Sequence, residues 1–284
     1  MYKQSITRAH RTAFIIAMDC SGSMAQELFF MGRSMSKAEA VAEVTNRLLF
    51  ELIERARRSD GVRHYYDIAV VGYSGDGVVP MLPDKEGFIP VNVLAAQQVA
   101  MQTRTSEYRL PNGEIALRKH VIPCWIKPLA KGETPMYDAL LYLRDLVAGW
   151  VGESDHAGSF PPVIFNITDG ESSDGDDDGL REVCEQIKAL HTLDGNVLLI
   201  NIHLAAGDTE QSVIFPTAEE ANYTNRYATL LFDCSSEMPE TMTEAIREVK
   251  TYGAMPPFRG MSFNASIAEL LTILNIGSIS VSIQ

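Results

Sequence analysis

Three short segments of this chain concentrate side-chain oxygens. Asp19-Cys20-Ser21-Gly22-Ser23 brings a carboxylate and two hydroxyls. Gly132-Glu133-Thr134-Pro135 brings a third hydroxyl, and Thr168-Asp169-Gly170 a second carboxylate. Hydroxyls and carboxylates together are the donor set of a hard divalent cation. Mg²⁺ in particular takes an octahedral shell of oxygens and gives up its water reluctantly. Neutral hydroxyls can bind such an ion directly, while carboxylates hold its remaining waters. Gly22 lets the first loop turn tightly enough for Ser21 and Ser23 to face one centre.

These segments meet only if the right elements carry them. Ala13–Met18 (AFIIAM) is a continuous apolar run ending at Asp19, and Val163–Thr168 (VIFNIT) is another ending at Asp169. Short unbroken apolar runs predict strands buried on both faces of a parallel sheet. Val197–Leu204 reads as a third such strand, and Tyr65–Tyr73 as another, with Val78–Leu82 as its hairpin partner. Leu230–Phe232 reads as a further short strand. Ser36-Lys37-Ala38-Glu39 is a capping-box signal opening a helix that carries Val41, Val44, Leu48 and Leu52. Thr134-Pro135 predicts a helix start with Thr134 as N-cap, and Met136, Leu140, Leu143 and Val147 form its apolar stripe. Leu180, Val183, Ile187 and Leu190 predict another helix. Pro239–Lys250 and Ser266–Leu274 predict the last two, followed by an irregular end or a short strand. Strands alternating with helices give an α/β fold: a doubly wound, mostly parallel open sheet with helices on both faces. Ligands of such sheets bind beyond the carboxyl ends of the strands, where Asp19 and Asp169 fall.

Residues 83–128 break the alternation. Thr103–Leu110 and Glu114–Ile122 flank Pro111-Asn112-Gly113, and Asn-Gly between two strand-like runs predicts a β-hairpin. We read 83–128 as an insertion in a single domain spanning 1–284, with 252–284 as a C-terminal extension packed on it. The hairpin's Arg104, Arg109, Arg118 and Lys119 either steer an acidic partner or form a solvated strand face. Leu28-Phe29-Phe30-Met31 either packs inward or anchors an interface.

Composition narrows the function classes. Of 284 residues, 46% are apolar and 21% charged, with a formal net charge of −13. That is a globular profile, and its charge repels nucleic acid and anionic membranes, so neither is an expected partner. No apolar run reaches the ~20 residues of a membrane helix. Cys20, Cys124, Cys184 and Cys234 are widely spaced without a C-x-x-C pair, which predicts free thiols in a reducing cytoplasm.

The pattern D-C-S-G-S, then the Thr of G-E-T-P, then the Asp of I-T-D-G resembles the von Willebrand factor A domain and its metal-ion-dependent adhesion site. The likeness covers roughly 11–82 and 130–251, with Glu133 standing where the family usually has a second glycine. It implies that Ser21, Ser23 and Thr134 ligate the metal directly, and that Asp19 and Asp169 do so through water or directly. It implies Mg²⁺, with Mn²⁺ or Ca²⁺ as alternatives. The sixth ligand it implies is an Asp or Glu carboxylate from a partner protein. D-x-S-G-S-M, G-x-T-P-x-Y-D-A-L and T-D-G-E also resemble stand-alone bacterial A domains of the tellurite-resistance-associated type, some encoded beside protein kinases and phosphatases. That likeness implies a role in stress-response or signalling complexes, with a kinase or phosphatase encoded nearby as partner.

Other chemistries leave weaker marks. A Mg²⁺-dependent phosphatase of the haloacid-dehalogenase type would need a second aspartate two residues after Asp19, where Ser21 stands. No G-x-x-x-x-G-K-[ST], G-x-G-x-x-G or G-x-S-x-G motif occurs, and the histidines show no metal spacing. The chain is therefore expected not to be an enzyme. A structural subunit with a non-exchangeable metal is the other alternative. Asp174, Asp176, Asp177 and Asp178 lack an EF-hand's spacing and predict a solvated loop entering a helix N-terminus.

Overall fold

In the computed structural model, which describes residues 1–82, 87–97, 99–109, 115–205, 211–221, 225–250 and 255–279, the first apolar run forms strand β1 (Thr12–Asp19), buried at every residue. A 3₁₀ turn leads into the hairpin of β2 (Glu27–Phe30) and β3 (Arg33–Ser36). Helix α1 (Lys37–Ala56) starts on a complete capping box between Ser36 and Glu39. The tight pair β4 (Arg57–Arg58) and β5 (Gly61–Val62) turns the chain into β6 (Tyr66–Ser74), and β7 (Gly77–Pro80) folds back on it. Next come β8 (Ile89–Pro90), α2 (Val91–Ala96) and the long hairpin of β9 (Ala100–Arg109) and β10 (Ile115–Cys124). Helix α3 (Met136–Gly152), β11 (Val163–Thr168) and α4 (Asp177–Ala189) follow. The short pair β12 (His191–Thr192) and β13 (Gly195–Asn196) precedes β14 (Leu198–Leu204) and β15 (Val213–Ile214). The chain continues through α5 (Arg226–Cys234), α6 (Thr243–Val249), β16 (Met261–Ala265) and α7 (Ile267–Ile279).

The main sheet runs β15-β16-β14-β11-β1-β6-β7, with β8 also on β6. The five strands from β16 to β6 are mutually parallel, and β15, β7 and β8 are antiparallel to their neighbours. From β1 the chain moves outward to β6 and later returns to β11 on the opposite side. The topological switch point thus lies between β1 and β11, which is where such sheets open a crevice at their carboxyl ends. Alternation along β1 supplies both cores. Phe14, Ile16 and Met18 join α1 and α7 on one face; Ala13, Ile15 and Ala17 join α3, α4 and α5 on the other.

Several expectations change. Leu230–Phe232 is not a strand but part of α5, opened by the Asn225 side chain accepting from the Tyr227 and Ala228 amides. Thr134 is not the N-cap of α3; the helix begins after Pro135. The Asp174 carboxylate caps it from another loop, accepting from the Tyr137 and Asp138 amides at 3.0 and 2.9 Å. Part of the acidic loop is therefore structural, and Asp176 likewise caps α4 through the Gly179 amide. Within 252–284, β16 joins the sheet beside β14 ahead of the last helix. The hairpin of residues 83–128 forms in the expected pairing, but its Asn112-Gly113 turn lies outside the described residues, as do the side chains of Arg104, Arg109 and Arg118. Lys119 is exposed. Asn46 of α1 anchors the chain just after β10: its side chain accepts from the Trp125 and Ile126 amides and donates to the Ile126 carbonyl, all within 2.8–2.9 Å. The Leu28–Met31 cluster splits. Leu28 and Phe30 pack on the core, while Phe29 is 73% exposed and Met31 44% exposed.

Candidate functional site

Asp19 ends β1 and Asp169 follows β11, so the parallel pairing of these neighbours brings both carboxylates to the switch-point crevice. After β1 the chain turns at once. The Ser21 amide donates to Asp19 Oδ1 at 2.8 Å, and the Ser21 and Ser23 hydroxyls come within 3.0 Å of one another. Ser23 Oγ donates to Asp169 Oδ1 at 2.5 Å. Ser21 Oγ, Ser23 Oγ and Asp169 Oδ1 thus form a connected row of oxygens contributed by the loops after β1 and β11.

The third segment is pinned to the first. The Gly22 amide donates to the Gly132 carbonyl at 2.9 Å, and the Lys131 amide to the Cys20 carbonyl at 2.8 Å. Gly132 has φ +74°, and a Cβ there would lie 2.8 Å from the Gly75 backbone nitrogen. Only glycine allows this approach, and it fixes where the chain enters Thr134. Thr134 is buried and is tied to the loop after Asp169: its amide donates to Ser173 Oγ, and its carbonyl accepts from the Ser173 amide at 2.9 Å. The structure therefore brings the loops of all five candidate residues, Asp19, Ser21, Ser23, Thr134 and Asp169, to one end of the sheet.

The two aspartates sit in different electrostatic settings. Asp19 is 1% exposed and has no ion-pair partner among the described residues. Its oxygens accept from the Ser21 amide and from Thr168 Oγ1, the latter at 2.8 Å. Burial nonetheless raises its carboxyl above the usual carboxylate range, against those hydrogen bonds. Asp169 has a counter-charge: Lys37 Nζ, on the first residue of α1, donates to Oδ2 at 2.9 Å, and both side chains are almost wholly buried. Burial also pushes the Cys20 thiol up to about 12, so it is a packing residue rather than a thiolate ligand.

A divalent ion fits this donor set. An octahedral ion with metal–oxygen bonds of ~2.1 Å has neighbouring ligand oxygens about 3 Å apart. The Ser21–Ser23 hydroxyl separation of 3.0 Å matches that edge. All candidate donors are hard oxygens, three hydroxyls and two carboxylates; no group of three or more His, Cys, Asp or Glu that could hold a metal occurs among the described residues, at this site or away from it.

Sequence reasoning missed four supporting residues. Lys37 stands 132 positions from its partner Asp169, and only the fold unites them. Thr168 Oγ1 donates to Asp19 and accepts from the Gly170 amide, so one hydroxyl positions both strand ends. Tyr227 of α5 donates to the Gly170 carbonyl at 2.6 Å, steadying the second loop. Ser173 joins that loop to Thr134. The one local signal was T-D-G, whose threonine can cap a turn. His203, near the end of β14, stacks on Phe263, and burial depresses its pKa to about 4.

No family model matches the sequence, and no curated protein is similar to it. Among solved structures the fold is similar to von Willebrand factor type A from Catenulispora acidiphila, with a TM-score of 0.43 and 14% identity over 69% of this chain. The chain spans about a third of that protein, 34% of its length. It is also similar to the SpRpn10 VWA domain, with a TM-score of 0.40, 10% identity, and coverage of 68% of this chain and 75% of that one. A third similar structure is the vWF domain of the type V pili tip protein Mfa5 from Porphyromonas gingivalis. There the TM-score is 0.33 and identity 11%, over 57% of this chain and 39% of that one.

Proposed function

We propose that this chain is a von Willebrand factor A-type domain that works as a metal-dependent protein-binding module. Ser21, Ser23 and Thr134 would hold the ion directly, and Asp19 and Asp169 through water or directly. Mg²⁺ is the preferred ion, ahead of Mn²⁺ and Ca²⁺. The observation that carries this reading is the row Ser21 Oγ–Ser23 Oγ–Asp169 Oδ1, with spacings of 3.0 and 2.5 Å at the switch point. Hydroxyl ligands donate no charge, so a divalent ion held this way keeps its attraction for an anionic ligand. The partner would supply an Asp or Glu carboxylate; a kinase or phosphatase encoded nearby fits the motif likeness, as does a place in bacterial stress-response or signalling complexes. Four unpaired cysteines, three of them buried, support a cytoplasmic setting.

A hydrolase reading is less well supported. A phosphatase of the haloacid-dehalogenase type needs a general-acid aspartate two residues after Asp19, and Ser21 stands there, its hydroxyl 3.0 Å from that of Ser23. Affinity capture from the native host with Mg²⁺, set against EDTA, tests the proposal. Asp19→Ala and Ser21→Ala should abolish capture while leaving the circular dichroism spectrum unchanged. A partner captured equally well in EDTA refutes it. Turnover of generic phosphoesters by the purified chain, lost in Asp19→Asn, would establish the hydrolase instead.

A further inference from the structure

Lys37 breaks two local rules at once. It is a lysine 3% exposed, and it occupies the first position of a 20-residue helix, where the macrodipole disfavours a cation. The capping box of Ser36 and Glu39 completes the helix start without using the Lys37 side chain. What holds it is the 2.9 Å contact of its Nζ with Asp169 Oδ2, on the carboxylate whose other oxygen accepts from Ser23. A buried cation kept against helix preference at a candidate metal site points to function.

The charges give that function. Asp19 and Asp169 with Lys37 carry a formal −1; a divalent ion brings the total to +1. Without Lys37 the same two carboxylates would carry −2 and be neutral once metallated. Lys37 therefore weakens the hold on the metal alone, and it leaves a positive charge that a partner's carboxylate neutralises. We propose that Lys37 is a resident cation that couples metal retention to capture of an acidic ligand: the site binds metal weakly by itself and firmly with a carboxylate in place. This rests on the metal-site reading above and adds a regulatory residue to it.

The test titrates Mn²⁺ into the full chain, following free Mn²⁺ by electron paramagnetic resonance and the melting temperature in parallel, with and without excess acetate. Wild type is compared with K37M, K37Q and K37R. K37Q keeps a hydrogen-bond donor toward Asp169, so it decides the question if K37M folds poorly. The neutral variants should bind Mn²⁺ at least about tenfold more tightly than wild type, as expected from removing a like charge within a few ångströms. K37R should stay near wild type, and acetate should tighten Mn²⁺ binding more in wild type than in K37Q. If wild type binds Mn²⁺ and the neutral variants bind no more tightly, the coupling role of Lys37 falls and the metal site stands. If neither wild type nor the neutral variants bind Mn²⁺, both fall.

Discussion

Gly132→Ala offers a stringent test of how the site is assembled. Residue 132 sits at φ +74°, a conformation that costs a side-chain-bearing residue about 1–2 kcal/mol. The new methyl would also stand 2.8 and 2.9 Å from the nitrogen and Cα of Gly75, which are backbone atoms and cannot swing aside. Overpacking of this kind costs ~1–3 kcal/mol. The sum is roughly 2–5 kcal/mol, and at ~2 °C per kcal/mol for a chain of this size the melting temperature should fall by about 4–10 °C. Relaxation would push the loop off Gly22, whose amide donates to the Gly132 carbonyl, and would carry Thr134 with it. Mn²⁺ affinity should therefore fall together with stability. Gly149→Ala is the control: its Cβ meets nothing within 4 Å in the helix α3, so alanine should stabilise by ~0.5–1 kcal/mol. Scanning calorimetry and Mn²⁺ titration of both variants give the answer. A Gly132→Ala protein that melts and binds like wild type would refute the close packing of these loops.

Acid should destabilise the fold through His203. Its folded pKa lies near 4 against an ordinary 6.5, so the unfolded chain binds the extra proton first. Stability is then complete above pH 6.5 and falls between pH 6.5 and 4, by up to about 3 kcal/mol at ~1.4 kcal/mol per unit. His203→Gln should flatten that slope in urea melts across the range. Asp67 is 6% exposed and accepts from Trp150 Nε1 at 3.0 Å and from His64 at 2.5 Å. Burial raises its pKa, but those bonds and Arg11 outweigh it and lower the net value. Asp67→Asn should cost ~2–3 kcal/mol at pH 7 and less as pH falls through the folded pKa, readable by urea melts at both pH values. Asn46→Ala leaves the Trp125 and Ile126 amides unpaired and should cost about 2–4 kcal/mol, with faster hydrogen exchange at those two positions.

The central strands were legible because burial on both faces writes continuous apolar runs. Each of the first two named ends in an aspartate that locates the crevice. Helices α1 and α4 were legible from caps and apolar spacing. The failures have a common cause. Three apolar residues at Leu230–Phe232 fit a strand or a helix equally, and the deciding signal was Asn225 five positions earlier. Met261–Ala265 carries polar residues and becomes a strand only because β14 offers it a partner. Thr134 looked like a cap because the true cap, Asp174, lies in another loop. The five candidate residues were readable as a pattern, whereas Lys37, Thr168 and Tyr227 act through contacts that chain order hides.

The boundaries of the main sheet have a consequence for the molecule in a crowded solution. One boundary is β15, two residues long. The other is shared by β7 and β8 along β6, and each of these short strands ends in a proline, Pro80 and Pro90, which offers no amide hydrogen. Among the described residues, neither boundary presents a long row of free backbone donors and acceptors on which another chain could align. A sheet whose central parallel strands β1, β6, β11 and β14 are rich in aliphatic residues would otherwise invite strand-by-strand growth into fibrils. Here the described edges, two-residue β15 and the proline-ended β7 and β8, give such growth little backbone to start on.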